Sequence, residues 1–222
     1  MQIRIDLKIV LFLLFFFLTK QIEVYILFMI FAIIHELGHL LIGILMEFKP
    51  EGISLVPLGL SIKFSINCNN YSKKIKNINV IYLKKIVVAI AGPATNFLIA
   101  IIFIIFNINI FNCIRENIIY TNLIIGFFNL IPIYPLDGGR IIKNILNIKK
   151  DKITSYKCIN TISNITLIIL TAISSIAILY LKNIAILFII LYLWIIVIKE
   201  NNIYTKKMRL YSKIHELFAK EE

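Results

Sequence analysis

The chain has 222 residues, of which 59% are hydrophobic, and its mean hydropathy is +0.88. This composition excludes an ordinary soluble globular domain and predicts a multi-spanning membrane protein. The formal net charge of +12 is explained by basic loops that set membrane topology, so nucleic acid is not an expected partner. The three cysteines form no Cys-x-x-Cys pair and predict neither a disulfide framework nor a thiolate metal site.

Six apolar segments, at about residues 5–19, 23–47, 82–107, 117–139, 158–181 and 183–199, predict six transmembrane helices. If both termini are cytoplasmic, all but three of the 24 Lys and Arg residues lie on the cytoplasmic side. This asymmetry is what the positive-inside rule requires. We therefore predict an all-α membrane protein whose spans occupy residues 1–200, followed by a short basic cytoplasmic tail at 201–222. The basic cytoplasmic loops are expected to lie against the lipid bilayer.

The second apolar segment contains His35-Glu36-Leu37-Gly38-His39. Ionisable groups inside a membrane span are costly and usually mark a function. Two histidines four residues apart lie on one helical face and can bind one Zn²⁺, and Glu36 can act as general base beside such a metal. The alternative, two histidines satisfied in a protein core, is weaker inside a membrane span. The third histidine, His215, lies in the charged tail and has Ala219 where a second imidazole would be needed.

Residues 53–66 partly alternate between apolar and polar and are rich in β-branched residues, with Pro57 and Gly59 as interruptions. This pattern predicts a small cytoplasmic β-hairpin between the second and third spans. Its open edge could accept an extended peptide as an added strand. The alternative is a loop packed on the helices. The polar stretch from Asn67 to Asn79 predicts a flexible connection.

The third segment contains Gly92-Pro93 and, three residues later, Asn96. Gly-Pro in a membrane helix bends or thins the helix, and small residues allow neighbouring helices to come close. Asn96 is a polar group at membrane depth and needs a partner. A packing kink and a role beside the metal site are both compatible with this pattern.

The fourth segment is interrupted by Pro132, Pro135, Gly138 and Gly139, which exclude a regular helix around Asp137. Irregular backbone at membrane depth is tolerated only where it is enclosed by protein or lines a cavity. A catalytic zinc usually has three protein ligands and one open position. Asp137 is the best candidate for the third ligand, and a cap of the turn towards Arg140 is the alternative.

Three motifs lie in separate segments: His35 to His39, Gly92 to Asn96, and Asn129 to Gly139. Together they resemble the site-2 protease family of intramembrane zinc metalloproteases. The resemblance implies that one Zn²⁺ per chain is held by His35, His39 and Asp137, and that Glu36 passes a proton from water to the leaving amide nitrogen. It also implies substrate contacts from Asn129 and from the segment around Pro132 and Pro135. We add Asn96, on the third span, to these expected substrate contacts.

The resemblance implies a membrane-tethered protein substrate, with regulatory membrane proteins as further candidate partners. Because the candidate catalytic residues and the longest basic loop lie toward the cytoplasmic side, we expect the substrate to be cut near its cytoplasmic boundary. The six-span layout is similar to the branch of the family that activates a precursor sigma factor in sporulation. Relatives in that branch often carry a C-terminal CBS domain, which is not expected here. Alternatives are general clearance of signal-peptide remnants and, outside the protease class, a membrane metal transporter or a catalytically inactive scaffold.

Overall fold

The computed structural model describes residues 2–56, 59–66, 78–106, 112–181 and 185–218. In chain order, its elements are β1 (Gln2–Ile5), α1 (Lys8–Leu18), α2 (Ile22–Leu45), β2 (Phe48–Val56), β3 (Gly59–Ile66), α3 (Ile78–Ile105), α4 (Asn112–Asn129), α5 (Asp137–Lys149), α6 (Lys152–Leu181) and α7 (Ala185–Phe218). The chain divides into two compact units, Met1–Leu130 and Ile131–Glu222.

Within the described ranges, four helices are long and apolar enough to cross a membrane: Ile22–Leu45, Ile78–Ile105, Lys152–Tyr180 and Ile186–Lys213. The first predicted span is shorter, because α1 has 11 residues and covers only about 16 Å, half of a hydrocarbon core. The fourth predicted span is divided, since α4 ends at Asn129 and α5 begins at Asp137. These helices make the chain a multi-pass membrane protein. The total of six crossings stays a prediction.

The predicted β-hairpin is confirmed. Strands β2 and β3 are antiparallel, with a register that runs from Phe48 opposite Ile66 to Val56 opposite Gly59. Pro57 lies outside the described residues, as does the segment 67–77 of the predicted polar connection. An additional strand was not predicted: β1 pairs in parallel with β2, which makes a three-stranded sheet of order β1-β2-β3. Four residues directly before an apolar helix give too short a pattern to be read as a strand.

Helix α2 is the central element of the first unit and contacts α1, α3, α4, β2 and β3. Its Phe31 and Ala32 form a core cluster with Ile118 and Ile125 of α4. The other face of α2 keeps large apolar side chains exposed, such as Leu41 at 60%. Apolar side chains on both the inner and outer faces are expected of a helix that has protein on one side and lipid on the other.

The second unit contains α5, α6 and α7, in which α6 contacts both of the other helices. Its core includes Ile133, Leu167 and Leu193, whose side chains have no exposed surface. Helix α7 has 34 residues and measures about 50 Å, which exceeds the thickness of the hydrocarbon core. Residues 201–218 continue this helix, and the predicted boundary between residues 200 and 201 stays a prediction.

Candidate metal centre

The two histidines of α2 are brought together as predicted. His35 is 3% exposed and His39 is 2% exposed, and their Nε2 atoms lie 3.1 Å apart. In a tetrahedral zinc site with bonds of 2.0–2.1 Å, two nitrogen ligands are separated by about 3.3 Å. The four-residue spacing on one helix therefore sets the two donor atoms at nearly the separation that a shared zinc ion requires.

The other ring nitrogens of both histidines face oxygen atoms. His39 Nδ1 lies 2.7 Å from the carbonyl oxygen of Val88, and His35 Nδ1 lies 2.6 Å from Asn96 Oδ1. A carbonyl oxygen only accepts, so His39 Nδ1 carries the hydrogen and donates it. The amide N–H of Gly92 is 3.3 Å from the same Nδ1, but a protonated Nδ1 has no lone pair to accept that hydrogen. We therefore assign the shorter contact with Val88 as the hydrogen bond.

When both rings are neutral, these hydrogen bonds leave the lone pairs of the two Nε2 atoms facing one another. When Nδ1 is protonated, Nε2 is the acceptor and metal-binding atom of a neutral imidazole. Two acceptor nitrogens at 3.1 Å repel one another unless a cation binds both. A hydrogen-bonded Nδ1 with Nε2 left for the metal is the usual arrangement of a metal-binding histidine. The donor atoms thus fit a zinc ion.

The Gly-Pro motif of α3 lies directly beside the imidazole pair. A Cβ atom added at Gly92 would collide with the Nε2 atoms of both His35 and His39. Helix α3 continues through Pro93, which is buried with Gly92. The structure supports the alternative of a role beside the metal site, because only a residue without a side chain leaves the space at the two nitrogens open.

Asn96, the polar residue of the same motif, is completely buried and contacts His35. Its amide nitrogen donates to Oδ1 of Asn122 in α4, at 2.9 Å. These contacts connect Asn96 to a candidate ligand, and its predicted substrate contact is not tested by them.

Sequence reasoning missed Asn122, although a lone amide in an apolar segment was an available signal. It also missed Val88, whose contribution is a backbone carbonyl that no side-chain pattern reveals.

Glu36 follows His35 on α2 and is partly buried. Its neighbour Leu37 is 48% exposed, so Glu36 lies between the buried face of the helix and the outward one. Its role as general base stays a prediction.

In the second unit, Asp137 is the first residue of α5 and is 3% exposed. Arg140 Nη1 lies 3.5 Å from Asp137 Oδ1, and the Arg140 side chain is 41% exposed. Strong charge-assisted hydrogen bonds are about 2.7–2.9 Å long, so the interaction between Arg140 and the buried carboxylate of Asp137 is weak. The first turn of a helix also favours a negative charge. Both predictions for Asp137, metal ligand and cap of the turn, agree with this environment.

The predicted break before Asp137 is observed within the second unit. The backbone from Ile131 to Leu136 is not helical, and Tyr134 donates its N–H to Ser163 Oγ of α6 at 2.9 Å. A Cβ added at Gly139 would lie 2.5 Å from main-chain atoms of Ile133 and Tyr134. Gly139 therefore allows α5 to begin in close contact with the irregular segment.

Three residues of the predicted substrate site lie in or next to this break. Pro132 and Pro135 are partly buried. Asn129 is the last residue of α4, in the first unit, and its Nδ2 donates to the carbonyl of Ile125 at 3.0 Å. Contact of these residues with substrate stays a prediction.

Comparisons with known proteins agree with the motifs. The zinc metalloprotease MJ0392 of Methanocaldococcus jannaschii is 33% identical over 141 residues, which are 60% of this chain and 37% of that protein. The stage IV sporulation protein FB of Bacillus subtilis is 26% identical over 129 residues, which are 56% of this chain and 41% of that protein. The chain thus spans less than half the length of these two curated relatives.

A solved structure and a family match cover more of the chain. The structure of a site-2 protease from Methanocaldococcus jannaschii has a TM-score of 0.65 and 26% identity, and the match covers 89% of each chain. The family Peptidase family M50 matches residues 23–116 and 108–173, which together are more than half of the chain and include both histidines and Asp137. The chain belongs to peptidase family M50, the site-2 protease family.

Proposed function

We propose that the chain is an intramembrane zinc metalloprotease that hydrolyses a peptide bond of a membrane-associated protein. The observation that carries this proposal is the buried pair of imidazoles, with Nε2 atoms 3.1 Å apart and both Nδ1 atoms facing oxygen acceptors. It lies in a helix of 24 residues that is apolar enough to cross a membrane. Membership of family M50 and the similarity to a zinc metalloprotease support the same chemistry.

His35, His39 and Asp137 would hold one Zn²⁺ per chain through two Nε2 atoms and a carboxylate oxygen. All three are buried, and a set of two imidazoles and one carboxylate is a known ligand set of catalytic zinc. When bound, the zinc ion would supply Lewis acidity, which promotes loss of a proton from water near neutral pH. The hydrogen bonds at Nδ1 would keep both rings in the tautomer that binds the metal.

Glu36 would move the proton. Its carboxylate takes a proton from the attacking water while the water oxygen forms a bond with the carbonyl carbon of the substrate. The C–N bond then breaks, and the proton passes from Glu36 to the leaving amide nitrogen. The substrate must first unwind locally, because the amides of a helix are hydrogen-bonded internally. Asn129 and the non-helical backbone around Pro132 and Pro135 would contact the unwound strand.

We propose that both termini and the sheet lie on the cytoplasmic side, as the distribution of Lys and Arg predicts. Lys84, near the start of α3, is 3.1 Å from Glu47 Oε2 and 3.3 Å from the carbonyl of Met46, at the end of α2. These contacts support the placement of the end of α2 and the start of α3 on the same side of the membrane. The substrate would then be cut near its cytoplasmic boundary.

The finer proposal is that the substrate is a precursor of a transcription factor, with a sporulation sigma factor as the leading candidate. The similarity to the stage IV sporulation protein FB of Bacillus subtilis supports it. General clearance of signal-peptide remnants uses the same chemistry with lower selectivity.

The first prediction concerns zinc. The purified protein is expected to contain one Zn²⁺ per chain by elemental analysis, and His35→Ala combined with His39→Ala should abolish it, because two of three ligands are lost. Asp137→Ala should weaken zinc binding. His215→Ala, which changes the remaining histidine, is the matched control and should leave the zinc content unchanged. Zinc retained at one per chain in the double variant would contradict the ligand assignment.

The second prediction concerns proteolysis. Glu36→Gln keeps the size of the side chain but removes its basic carboxylate, so cleavage of membrane-tethered peptides in proteoliposomes should fall about 100-fold or more, with zinc content retained. A chelator should stop cleavage by the unmodified protein. Glu116→Gln, at an exposed glutamate, is the control. Turnover close to normal in Glu36→Gln would exclude its role as general base.

The third prediction concerns topology. After replacement of Cys68, Cys113 and Cys158 by serine, single cysteines are introduced at the exposed positions Lys63, Glu116 and Lys206. A membrane-impermeant reagent added to intact cells should label only Glu116→Cys, and all three should react after permeabilisation. External labelling of Lys63→Cys or Lys206→Cys would reverse the proposed orientation.

The fourth prediction concerns selectivity. Coexpression with a precursor sigma factor and with several unrelated signal-peptide remnants, followed by mass spectrometry, should yield one cleavage position in the precursor. Helix-breaking residues near that position should increase cleavage, because local unwinding becomes easier. Cleavage of every remnant with an intact precursor would favour the clearance function instead.

A further inference from the structure

Asn122 of α4 is a buried amide whose orientation is determined by the backbone. Its side chain has no exposed surface, and its Nδ2 donates to the carbonyl oxygen of Ile118 at 2.9 Å. A carbonyl oxygen only accepts hydrogen bonds. The nitrogen end of the Asn122 amide must therefore face Ile118, and the oxygen end faces the opposite way.

That oxygen determines the orientation of a second buried amide. Asn96 Nδ2 donates to Asn122 Oδ1 at 2.9 Å, and Asn96 Oδ1 lies 2.6 Å from His35 Nδ1. With its nitrogen end engaged by Asn122, Asn96 presents an acceptor to the imidazole. His35 Nδ1 must then be the protonated nitrogen, and Nε2 keeps its lone pair. The direction of each hydrogen bond from His35 to Ile118 is therefore determined by the carbonyl oxygen of Ile118, which can only accept.

The opposite orientation of Asn96 would change the chemistry of His35. If its NH₂ group faced His35, Nδ1 would have to accept, and the hydrogen would move to Nε2. An Nε2–H nitrogen has no lone pair for a metal. The choice between the two orientations of Asn96 is therefore a choice between a metal-binding and a non-binding form of His35.

We propose that Asn122 is a positioning residue for the metal centre, which acts through Asn96 to hold His35 in the tautomer that binds zinc. This inference rests on the proposed function, since it takes His35 as a zinc ligand. Asn122 itself contacts neither ring of the histidine pair through the bonds described. A purely structural role for Asn122 would affect the stability of the helix packing and leave zinc affinity unchanged.

The test compares zinc affinities of purified protein by competition with a chelator, beside thermal unfolding of the metal-free protein. Asn122→Leu keeps a side chain of similar volume but removes both the donor and the acceptor of the amide. Asn96 can then turn, and zinc affinity should fall about 10-fold or more, the scale of losses when an outer partner of a ligand is removed. Thr121→Val is the matched control, because it removes a buried hydroxyl one residue earlier on the same helix and should leave affinity unchanged.

The rescue variant separates positioning from packing. In Asn96→Asp, either carboxylate oxygen accepts from His35 Nδ1, so the orientation no longer depends on Asn122. Adding Asn96→Asp to Asn122→Leu should return zinc affinity to within about 3-fold of the unmodified protein, as expected of a carboxylate–histidine–zinc arrangement. If Asn122→Leu does not fold, Asn122→Ala replaces it in the same comparison.

Two results would overturn the proposal: a folded Asn122→Leu protein with unchanged zinc affinity, or a loss of affinity that Asn96→Asp does not restore. The His35→Ala variant, measured in the same series, distinguishes this failure from failure of the proposed function. Zinc affinity unchanged by His35→Ala would contradict the ligand assignment itself. Loss of zinc in His35→Ala with normal affinity in Asn122→Leu would remove only the role of Asn122.

Discussion

The contact between the Nε2 atoms of His35 and His39, at 3.1 Å, is the constraint on which the surrounding structure depends. When both rings are neutral, two acceptor nitrogens this close are unfavourable in a buried, apolar environment, where electrostatic interactions are stronger than in water. Each ring is kept in this orientation by a hydrogen bond from its Nδ1 atom, to Asn96 Oδ1 for His35 and to the carbonyl oxygen of Val88 for His39. A cation between the two nitrogens would convert the repulsion into attraction, and burial would strengthen that attraction.

The helices of the first unit differ in what they contribute to that contact. Helix α2 supplies both rings, α3 supplies the carbonyl of Val88 and the amide of Asn96, and α4 supplies Asn122. A buried polar network is favourable only when each member has its partner, and then it specifies one arrangement of the elements. Relative movement of α3 and α4 would break the bond between the two amides, so the packing of these helices and the state of His35 are coupled.

Sequence patterns predicted the parts of the structure that depend on local spacing. The histidine pair follows from a four-residue interval on a helix, the hairpin from alternation around Pro57 and Gly59, and the break before Asp137 from prolines that cannot continue a helix. Strand β1 escaped prediction because its partner β2 lies about 50 residues further along the chain. The partner of Asn96 escaped because hydrogen bonds between helices have no period in sequence. The first span was predicted at residues 5–19 and is observed as the 11-residue helix α1, because apolar composition does not determine the length of a helix.

The approach of the α3 backbone at Gly92 makes the two sides of the histidine pair inequivalent. On one side the main chain lies against the ring nitrogens, and even a methyl group would not fit. A group that binds these nitrogens cannot approach through the space next to Gly92. Under the proposed function, a main chain on one side of the histidine pair would restrict the directions from which a substrate carbonyl group can approach it.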